Sequence, residues 1–186
     1  MTAFDDTSFG AEGENFGASG YDDGYGDEGV SSATAQRQSW PTLRQFCIFL
    51  ENRVGKLQQL LRHVERHDLR VVALSIVDTV DFAVPRIMLD DADRAREIFE
   101  LGGFTFFEND VVGVVLPDDP QPYLRICLAL LSAEMNIHYT YPLNFRWNGR
   151  GVIALQVDDV EAATRVLEGQ NFQIVSESDL RDDPFG

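Results

Sequence analysis

The stretch LDDADRAREIFELGGF, residues 89–104, returns sixty-eight positions later as VDDVEAATRVLEGQNF, residues 157–172. In both copies two aspartates precede apolar residues at helical spacing, and a phenylalanine follows the helix. An earlier amphipathic helix also repeats, because Leu57, Leu60, Leu61 and Val64 recur sixty-six positions later as Tyr123, Ile126, Cys127 and Leu130. Residues 43–116 and 117–176 are therefore two copies of one structural unit. The interface between such repeats is where a ligand or partner can bind.

Each unit predicts the order strand, helix, strand, strand, helix, strand. The first unit has predicted strands at 43–50, 69–77, 82–89 and 104–116, with helices that begin at Val54–Lys56 and at Asp90 or Asp91. The second has strands at 111–116, 137–143, 151–157 and 172–175, with helices at 122–133 and 160–168. This order predicts an α+β fold of two tandem ferredoxin-like βαββαβ units, with antiparallel sheets and helices on one face. The strand through residues 111–116 can serve both units, which predicts one rigid body.

The expected domain boundaries are 1–39 for a leader, 40–112 and 113–178 for the two repeats, and 179–186 for a tail. The leader contains eight acidic residues and one arginine, so it carries −7 of the formal net charge of −16. It lacks helical or alternating periodicity, which predicts disorder because little apolar surface is available to offset the ordering entropy. It either solubilises the chain or, through aromatic residues spaced among the acids, docks a partner.

Composition excludes several classes of function. An acidic chain without a basic stripe repels phosphate backbones, so a nucleic acid is not expected as a partner. No apolar run approaches the roughly twenty residues that span a bilayer, and residues 1–10 lack the features of a secretory signal. We therefore expect no membrane association and a cytoplasmic location. Cys47 and Cys127 fall in apolar periodic stretches, which predicts buried free thiols.

Catalytic signals are weak, so we expect no enzyme activity and no cofactor. Residues 50–57 do not match a Walker phosphate loop, and Ser75 lacks the glycines of a nucleophile motif. His63 and His67 are four apart on a helix and could share a metal with a carboxylate, but a solvated helix surface is the favoured reading. His138 is expected in the core or at a dimer interface.

The paired acids 90–91 and 158–159 stand where a strand passes into a helix, which predicts that they cap those helices. The strongest candidate site is the junction of the first strand and first helix in each unit, residues 51–57 and 117–123. A helix start offers unpaired N–H groups to a carboxylate, and Gly55 removes the side chain that would block its approach. Asn52 or Asp118 could accept hydrogen bonds from an ammonium group, so a free amino acid fits both ends.

A second interpretation of these junctions stays open. Asn52 and Asp119 would then only cap their helices, and Gly55 would only relieve a tight turn.

The segment 46–57 resembles the opening of an ACT domain, in which a strand, an Asn or Asp, a Pro-Gly and a Leu begin the first helix. Residues 74–82, 85–91 and 115–120 are similar to the middle of free-standing tandem ACT proteins and to the start of their second repeat. The resemblance covers roughly residues 43–175. Two positions depart from it, since Val54 replaces the usual Pro and Gln121-Pro122 replace the usual Gly-Gly.

Membership would imply a non-catalytic regulatory protein that binds a small amino acid at an interface between repeats, through the loop before the first helix. Carried over by position, the ligand-binding residues would be Asn52, Val54, Gly55, Lys56, Asp118, Asp119 and Gln121, with the first loop favoured. The similarity to small regulatory subunits of acetolactate synthase implies branched-chain amino-acid biosynthesis and a biosynthetic enzyme as partner. The alternative is an interaction module that has lost ligand binding.

The first helix of the second unit carries more apolar residues than one face can hold. These residues are Tyr123, Leu124, Ile126, Cys127, Leu128, Leu130 and Leu131. A helix that is apolar on two sides needs two neighbours. One is its own sheet, and the other is either the equivalent helix of the first unit or the same helix of another chain. We expect the latter, which predicts a homodimer.

Overall fold

The computed structural model describes residues 40–181. The first repeat consists of β1 (Leu43–Glu51), α1 (Lys56–Arg66), β2 (Val71–Asp78), β3 (Phe82–Leu89), α2 (Ala92–Leu101) and the first part of β4 (Thr105–Val115). The second consists of the rest of β4 with α3 (Pro122–Ser132), β5 (Ile137–Trp147), β6 (Arg150–Val157), α4 (Val160–Gly169) and β7 (Ile174–Val175), followed by α5 (Glu177–Arg181). The predicted fold of two βαββαβ units is confirmed. The disorder predicted for the leader lies outside the described residues.

Two elements extend beyond the prediction. β5 continues to Trp147, where buried Leu143 and Phe145 alternate with exposed Asn144 and Arg146. This alternation is the period of a half-buried strand. The short helix α5 begins just before the stretch that was expected to be a tail.

The long strand β4 belongs to both sheets, as expected. The strand order is β2-β3-β1-β4-β6-β5, and β7 also pairs with β4. β1 pairs with β4 from Thr105 to Val111, and β6 pairs with it from Val112 to Val115. All of these pairings are antiparallel. The two repeats are therefore joined through one continuous backbone rather than through a linker.

Three apolar cores stabilise this arrangement. One lies between α1, α2 and the first sheet, and one between α3, α4 and the second sheet. The third contains buried residues from the helix-free faces of both sheets, among them Leu43, Met88, Val111, Leu143 and Phe145. The two sheets thus pack against each other, and the helices form the outer layers.

A buried polar network lies within the region between the sheets. Gln45 has no exposed surface; its Oε1 accepts a hydrogen bond from the Tyr141 hydroxyl at 2.5 Å, and its Nε2 donates to the Tyr139 hydroxyl at 2.9 Å. The Arg86 guanidinium lies 3.7 Å from the centre of the Tyr139 ring. Burial raises the pKa of Tyr141, so this hydroxyl remains a donor. Because β1 and β5 belong to different repeats, the network links the two sheets.

The end of the second repeat is fastened to the first. Arg44 on β1 binds both carboxylate oxygens of Glu177, at 2.6 and 2.9 Å, and lies 2.8 Å from Asp93. Arg70 donates a hydrogen bond to the carbonyl oxygen of Leu180 at 2.8 Å, and Leu180 itself is buried in the core between the sheets. These contacts explain why a short polar segment forms α5.

The thiols follow the prediction in part. Both cysteines are free; Cys47 is buried and Cys127 is half-buried. Burial raises the pKa of both thiols.

Gly113 offers a test of the packing where β4 passes between the repeats. A Cβ at this position would lie 2.5 Å from the Cδ1 of buried Leu43 and 3.3 Å from the Cβ of Val175. We expect Gly113→Ala to lower the free energy of unfolding by about 1–3 kcal/mol, because extra volume in a packed core forces strain. Urea denaturation followed by circular dichroism measures this change.

The matched control is Gly169→Ala at the end of α4, where nothing lies within 4 Å of the added Cβ. This variant should be neutral or more stable, by up to about 1 kcal/mol. Equal stabilities for the two variants would contradict the packing described for β4.

Candidate ligand-binding site

The loop between β1 and α1 is held by Asn52. Its backbone N–H donates to the carbonyl oxygen of Asp81 at 3.0 Å. Its side-chain Nδ2 donates to Oδ1 of Asp78 and to the carbonyl oxygen of Thr79, both at 2.8 Å. Asn52 therefore anchors the loop to the β2–β3 turn, and the interpretation that it caps α1 is wrong.

Gly55 is the residue that precedes α1. Its φ of +93° lies in the left-handed region, and a Cβ there would meet nothing within 4 Å. The backbone N–H of Lys56 donates to the carbonyl oxygen of Arg53 at 3.2 Å. Within residues 40–181 no side chain caps α1, so the next N–H groups, those of Leu57 and Gln58, lack the side-chain acceptor that most helix starts have. Val54 is fully exposed, and the Nζ of Lys56 lies 3.8 Å from a carboxylate oxygen of Glu51. The start of α1 is thus an accessible set of donors beside a residue without a side chain.

The corresponding loop of the second repeat is arranged differently. The Oδ1 of Asp119 accepts a hydrogen bond from the backbone N–H of Gln121 at 2.9 Å, and its Oδ2 lies 3.6 Å from the Arg125 guanidinium. No side chain caps α3, which begins with Pro122, so Asp119 is not its cap either. Asp118 is exposed. The Asp119 carboxylate is occupied by its own loop and helix, which favours the first loop as a binding site.

Among the cavities along the outer helices, two occupy corresponding places in the two repeats. Groove 1, of about 330 Å³, is lined by Gly55, Gln58, Gln59, Arg62, His63, Arg66, Gly102 and Phe104. Groove 2, of about 380 Å³, is lined by Asp119, Gln121, Leu124, Arg125, Leu128, Ala129, Ser132 and Gln170. Apart from Phe104 and Asp119, each residue of groove 1 has its counterpart in groove 2. The counterpart lies sixty-six positions later for the residues of α1 and Gly55, and sixty-eight positions later for Gly102. The same groove therefore occurs twice with different side chains.

The structure distributes the seven predicted site residues over two separate places. Gly55 lines groove 1, and Asp119 and Gln121 line groove 2. Among the described residues, each groove is lined by one repeat alone. The assignment of all seven as ligand-binding residues stays a prediction.

The acidic pairs at the later helices confirm the predicted caps. The Asp91 carboxylate accepts from the backbone N–H of Arg94 at 3.1 Å, and Asp159 accepts from Ala162 at 2.8 Å. In each pair the second aspartate is the cap.

Asp158 has another role. It accepts hydrogen bonds from Asn136 at 2.9 Å and from Nε2 of His138 at 2.5 Å, which lower the pKa of its carboxyl. His138 is exposed, so the core role expected for it is wrong. Tyr139 and Tyr141 do lie in the core region, because strand residues one apart face opposite ways.

The sequence suggested a solvated helix surface for His63 and His67, but both side chains are half-buried. The Nε2 of His63 lies 2.8 Å from the carbonyl oxygen of Ile98, and the two rings lie 4.9 Å apart. A Cβ on Gly102 would approach the His63 ring to 2.8 Å, so the glycines that end α2 allow this packing. Within residues 40–181 no group of three or more His, Cys, Asp or Glu side chains is arranged to hold a metal.

Comparison with known proteins identifies the class. The model of the ACT domain pair family matches residues 41–183, and the chain therefore belongs to this family of regulatory modules. None of the curated proteins matches the chain. In the part of the chain that the structure describes, no helix has the length and apolar character required to cross a membrane.

Two solved structures illustrate the likeness. Protein BT0572 from Bacteroides thetaiotaomicron is 25% identical, with a TM-score of 0.69 over 76% of this chain and 97% of that one. The ligand-free regulatory subunit of aspartate kinase from Thermus thermophilus is 15% identical, with a TM-score of 0.47 over 69% of this chain and 91% of that one.

The anchoring role of Asn52 predicts the behaviour of Asn52→Asp. The new carboxylate would face Asp78 without a donor, so the loop should loosen at neutral pH. We expect the backbone amide of residue 52 to exchange about five- to a hundredfold faster, which corresponds to the loss of two ordinary hydrogen bonds. Hydrogen exchange measured by NMR tests this.

Asn136→Asp is the control, because Asn136 also donates to an aspartate, but in the second repeat. It should leave the exchange of residue 52 unchanged. Full protection of residue 52 in Asn52→Asp would contradict the anchor.

Proposed function

We propose that the chain is a non-catalytic regulatory protein that binds a small amino acid at the start of α1 and thereby modulates amino-acid metabolism. The observation that carries this proposal is the uncapped start of α1 beside Gly55, with Asn52 held away from the helix. Membership of the ACT domain pair family supports it.

The chemistry of the loop suits a zwitterion. The first N–H groups of α1 and the positive end of the helix dipole favour an α-carboxylate. Both hydrogens of the Asn52 amide are directed at Asp78 and Thr79, and this orientation leaves Oδ1 as an acceptor for an ammonium group. Gly55 allows the ligand backbone to approach closely. Recognition of the carboxylate and of the ammonium group requires neither a nucleophile nor a base, which fits binding without turnover.

The finer expectations of the resemblance stay predictions. They are a branched-chain amino acid as ligand, a biosynthetic enzyme as partner, and a cytoplasmic location. An apolar side chain would need apolar walls, whereas groove 1 next to Gly55 has mainly polar ones.

We infer that the chain forms a homodimer through α3. Leu124, Leu128 and Leu131 expose 50%, 51% and 54% of their surface, while Ile126 and Leu130 face the core of the second repeat. Exposed leucines at this spacing form one stripe, and such stripes mark interaction surfaces. The same stripe supports the alternative function, an interaction module that binds a partner protein rather than a ligand.

Melting with free amino acids tests ligand binding. A ligand at a hundred times its dissociation constant stabilises the folded state by about 2.7 kcal/mol. At roughly 2–4 °C per kcal/mol for a chain of this size, the shift is about 5–11 °C. We expect at least one of the twenty amino acids to produce it, and Gly55→Val to abolish it by filling the approach to α1.

The matched control is Gly149→Val, since Gly149 also has positive φ and open space for a Cβ, but lies in the β5–β6 turn. Both variants should lose similar stability, about 1–2 kcal/mol, from left-handed strain. Only Gly149→Val should keep the ligand shift. A shift that survives Gly55→Val would place the ligand elsewhere, and a flat panel would favour the interaction module.

The oligomer prediction is tested by Leu128→Arg. A charge in the middle of the stripe should convert the dimer to a monomer, because an unpaired cation would be buried in the contact. Light scattering after gel filtration gives the mass. Leu101→Arg is the control, since Leu101 is also highly exposed but lies on α2. A wild-type chain that is monomeric at high concentration would refute the dimer.

A further inference from the structure

The two grooves have diverged in charge at equivalent positions. Gln58, Arg62 and Arg66 of groove 1 correspond to Leu124, Leu128 and Ser132 of groove 2. His63 corresponds to Ala129. The backbone arrangement is shared, so this difference is not required by the fold. Groove 1 is cationic in a chain whose net charge is −16.

Among the arginines that the structure describes, some form ion pairs, whereas Arg62 and Arg66, like Arg94, form none. Arg44, Arg96 and Arg165 each form an ion pair. Within residues 40–181, no ion pair is found for Arg62 or Arg66, although acidic residues greatly outnumber basic ones. Two neighbouring guanidinium groups, one turn apart on the same groove, are therefore available to an anion.

The backbone carbonyl groups at the end of α2 do not hold these cations, although Arg66, in the last turn of α1, also complements the dipole of its own helix. The carbonyl oxygen of Ile98 accepts from the backbone N–H of Gly102 at 2.9 Å and lies within hydrogen-bond distance of His63. The carbonyl oxygen of Phe99 accepts from the N–H of Phe104 at 3.0 Å. These carbonyl groups are thus satisfied without Arg62 or Arg66. His63 must carry its hydrogen on Nε2 to bond Ile98.

We propose that groove 1 binds the side-chain carboxylate of an acidic amino acid whose α-carboxylate lies at Gly55. This rests on the proposed function and names the ligand class. A guanidinium binds a carboxylate through two parallel hydrogen bonds, which a branched aliphatic side chain cannot accept. A groove of about 330 Å³ is within the size range of small-molecule sites.

The helix geometry places the two ends of such a ligand correctly. Gly55 and Arg62 are seven residues apart, which is roughly 10 Å along a helix axis at 1.5 Å per residue. Side chains on a helix lean toward its N-terminus, and Arg62 lines the same groove as Gly55. Gln58 and Gln59 lie between them and offer amide donors to the ligand. Arg66 adds positive charge farther along the groove.

The test compares L-glutamate with L-glutamine, and L-aspartate with L-asparagine, in calorimetric titration and thermal melting of the full chain. Each pair has nearly the same shape and differs in the charge of the side chain. We expect the acidic member to bind at least about tenfold more tightly, as for hydrogen bonds to a charged group. L-Leucine and L-valine should produce no shift.

Arg62→Gln should reduce the affinity for the acidic amino acid at least about tenfold, and Arg62→Lys should retain part of it, because the charge remains but the bidentate geometry does not. Arg94→Gln is the matched control. Arg94 is exposed on α2, and no ion pair is found for it among the described residues. It should bind like the wild type. Melting temperatures without ligand verify that all variants fold.

The outcomes separate this inference from the proposed function. If L-leucine or L-valine stabilises the chain and the acidic amino acids do not, the sensor function stands and the assignment of groove 1 is overturned. Unchanged affinity of Arg62→Gln for glutamate or aspartate overturns it as well. If no amino acid binds the folded wild-type chain, both the function and this inference fail.

Discussion

The structure depends on the double use of β4. Its four valines at positions 111, 112, 114 and 115 have at most 1% exposed surface, and Gly113 between them is also buried. Val111 and Val115 face the core between the sheets, while Val112 and Val114 face the core under α3 and α4. The backbone of the strand is also paired, because β1, β6 and β7 all form antiparallel ladders with β4. A hinge at this point would expose apolar surface and break ladder hydrogen bonds together, so the repeats form one body.

This shared scaffold makes the differences between the repeats informative. Duplication sets the same order of elements, the same caps at Asp91 and Asp159 and corresponding grooves along α1 and α3, whereas the loops before α1 and α3 differ. Selection on folding alone accounts for the buried positions, which are mostly apolar apart from Gln45 and Thr164. It does not account for Arg62 in one groove and Leu128 in the other, since both positions are exposed. The two outer surfaces therefore differ in chemistry, with exposed arginines along α1 and exposed leucines along α3.

Local patterns in the sequence predicted most of the fold. The caps Asp91 and Asp159 could be predicted from the sequence because each carboxylate accepts from a backbone N–H only three residues later in the chain. The extension of β5 was missed because Asn144 and Arg146 interrupt its apolar residues, although they alternate with buried Leu143 and Phe145. α5 was missed because its stability comes from distant partners such as Arg44 and Arg70.

The candidate site shows the same limit. The left-handed Gly55 could be anticipated from the residue type, whereas the role of Asn52 depends on Asp78, twenty-six residues away, and on the β2–β3 turn. Long-range hydrogen bonds of this kind leave no periodic signal. Groove 1 was also not anticipated, because Arg62 and His63 were interpreted as part of a solvated helix face, and only the packing of His63 against the end of α2 shows the concavity.

Rigidity at β4 restricts how a bound amino acid can act. A ligand shifts an equilibrium only by its difference in affinity between two states, and a packed strand that serves both sheets offers no second arrangement of the repeats. The loop at Gly55 is connected through Asn52 to the turn after β2, and β2 is an edge strand. On the proposed function, binding at α1 would therefore act on exposed elements of the first repeat: the loop, the β2–β3 turn and the outer edge of β2. We conclude that regulation by this protein, on the proposed function, works through the surfaces it presents to another chain rather than through a hinge between its repeats.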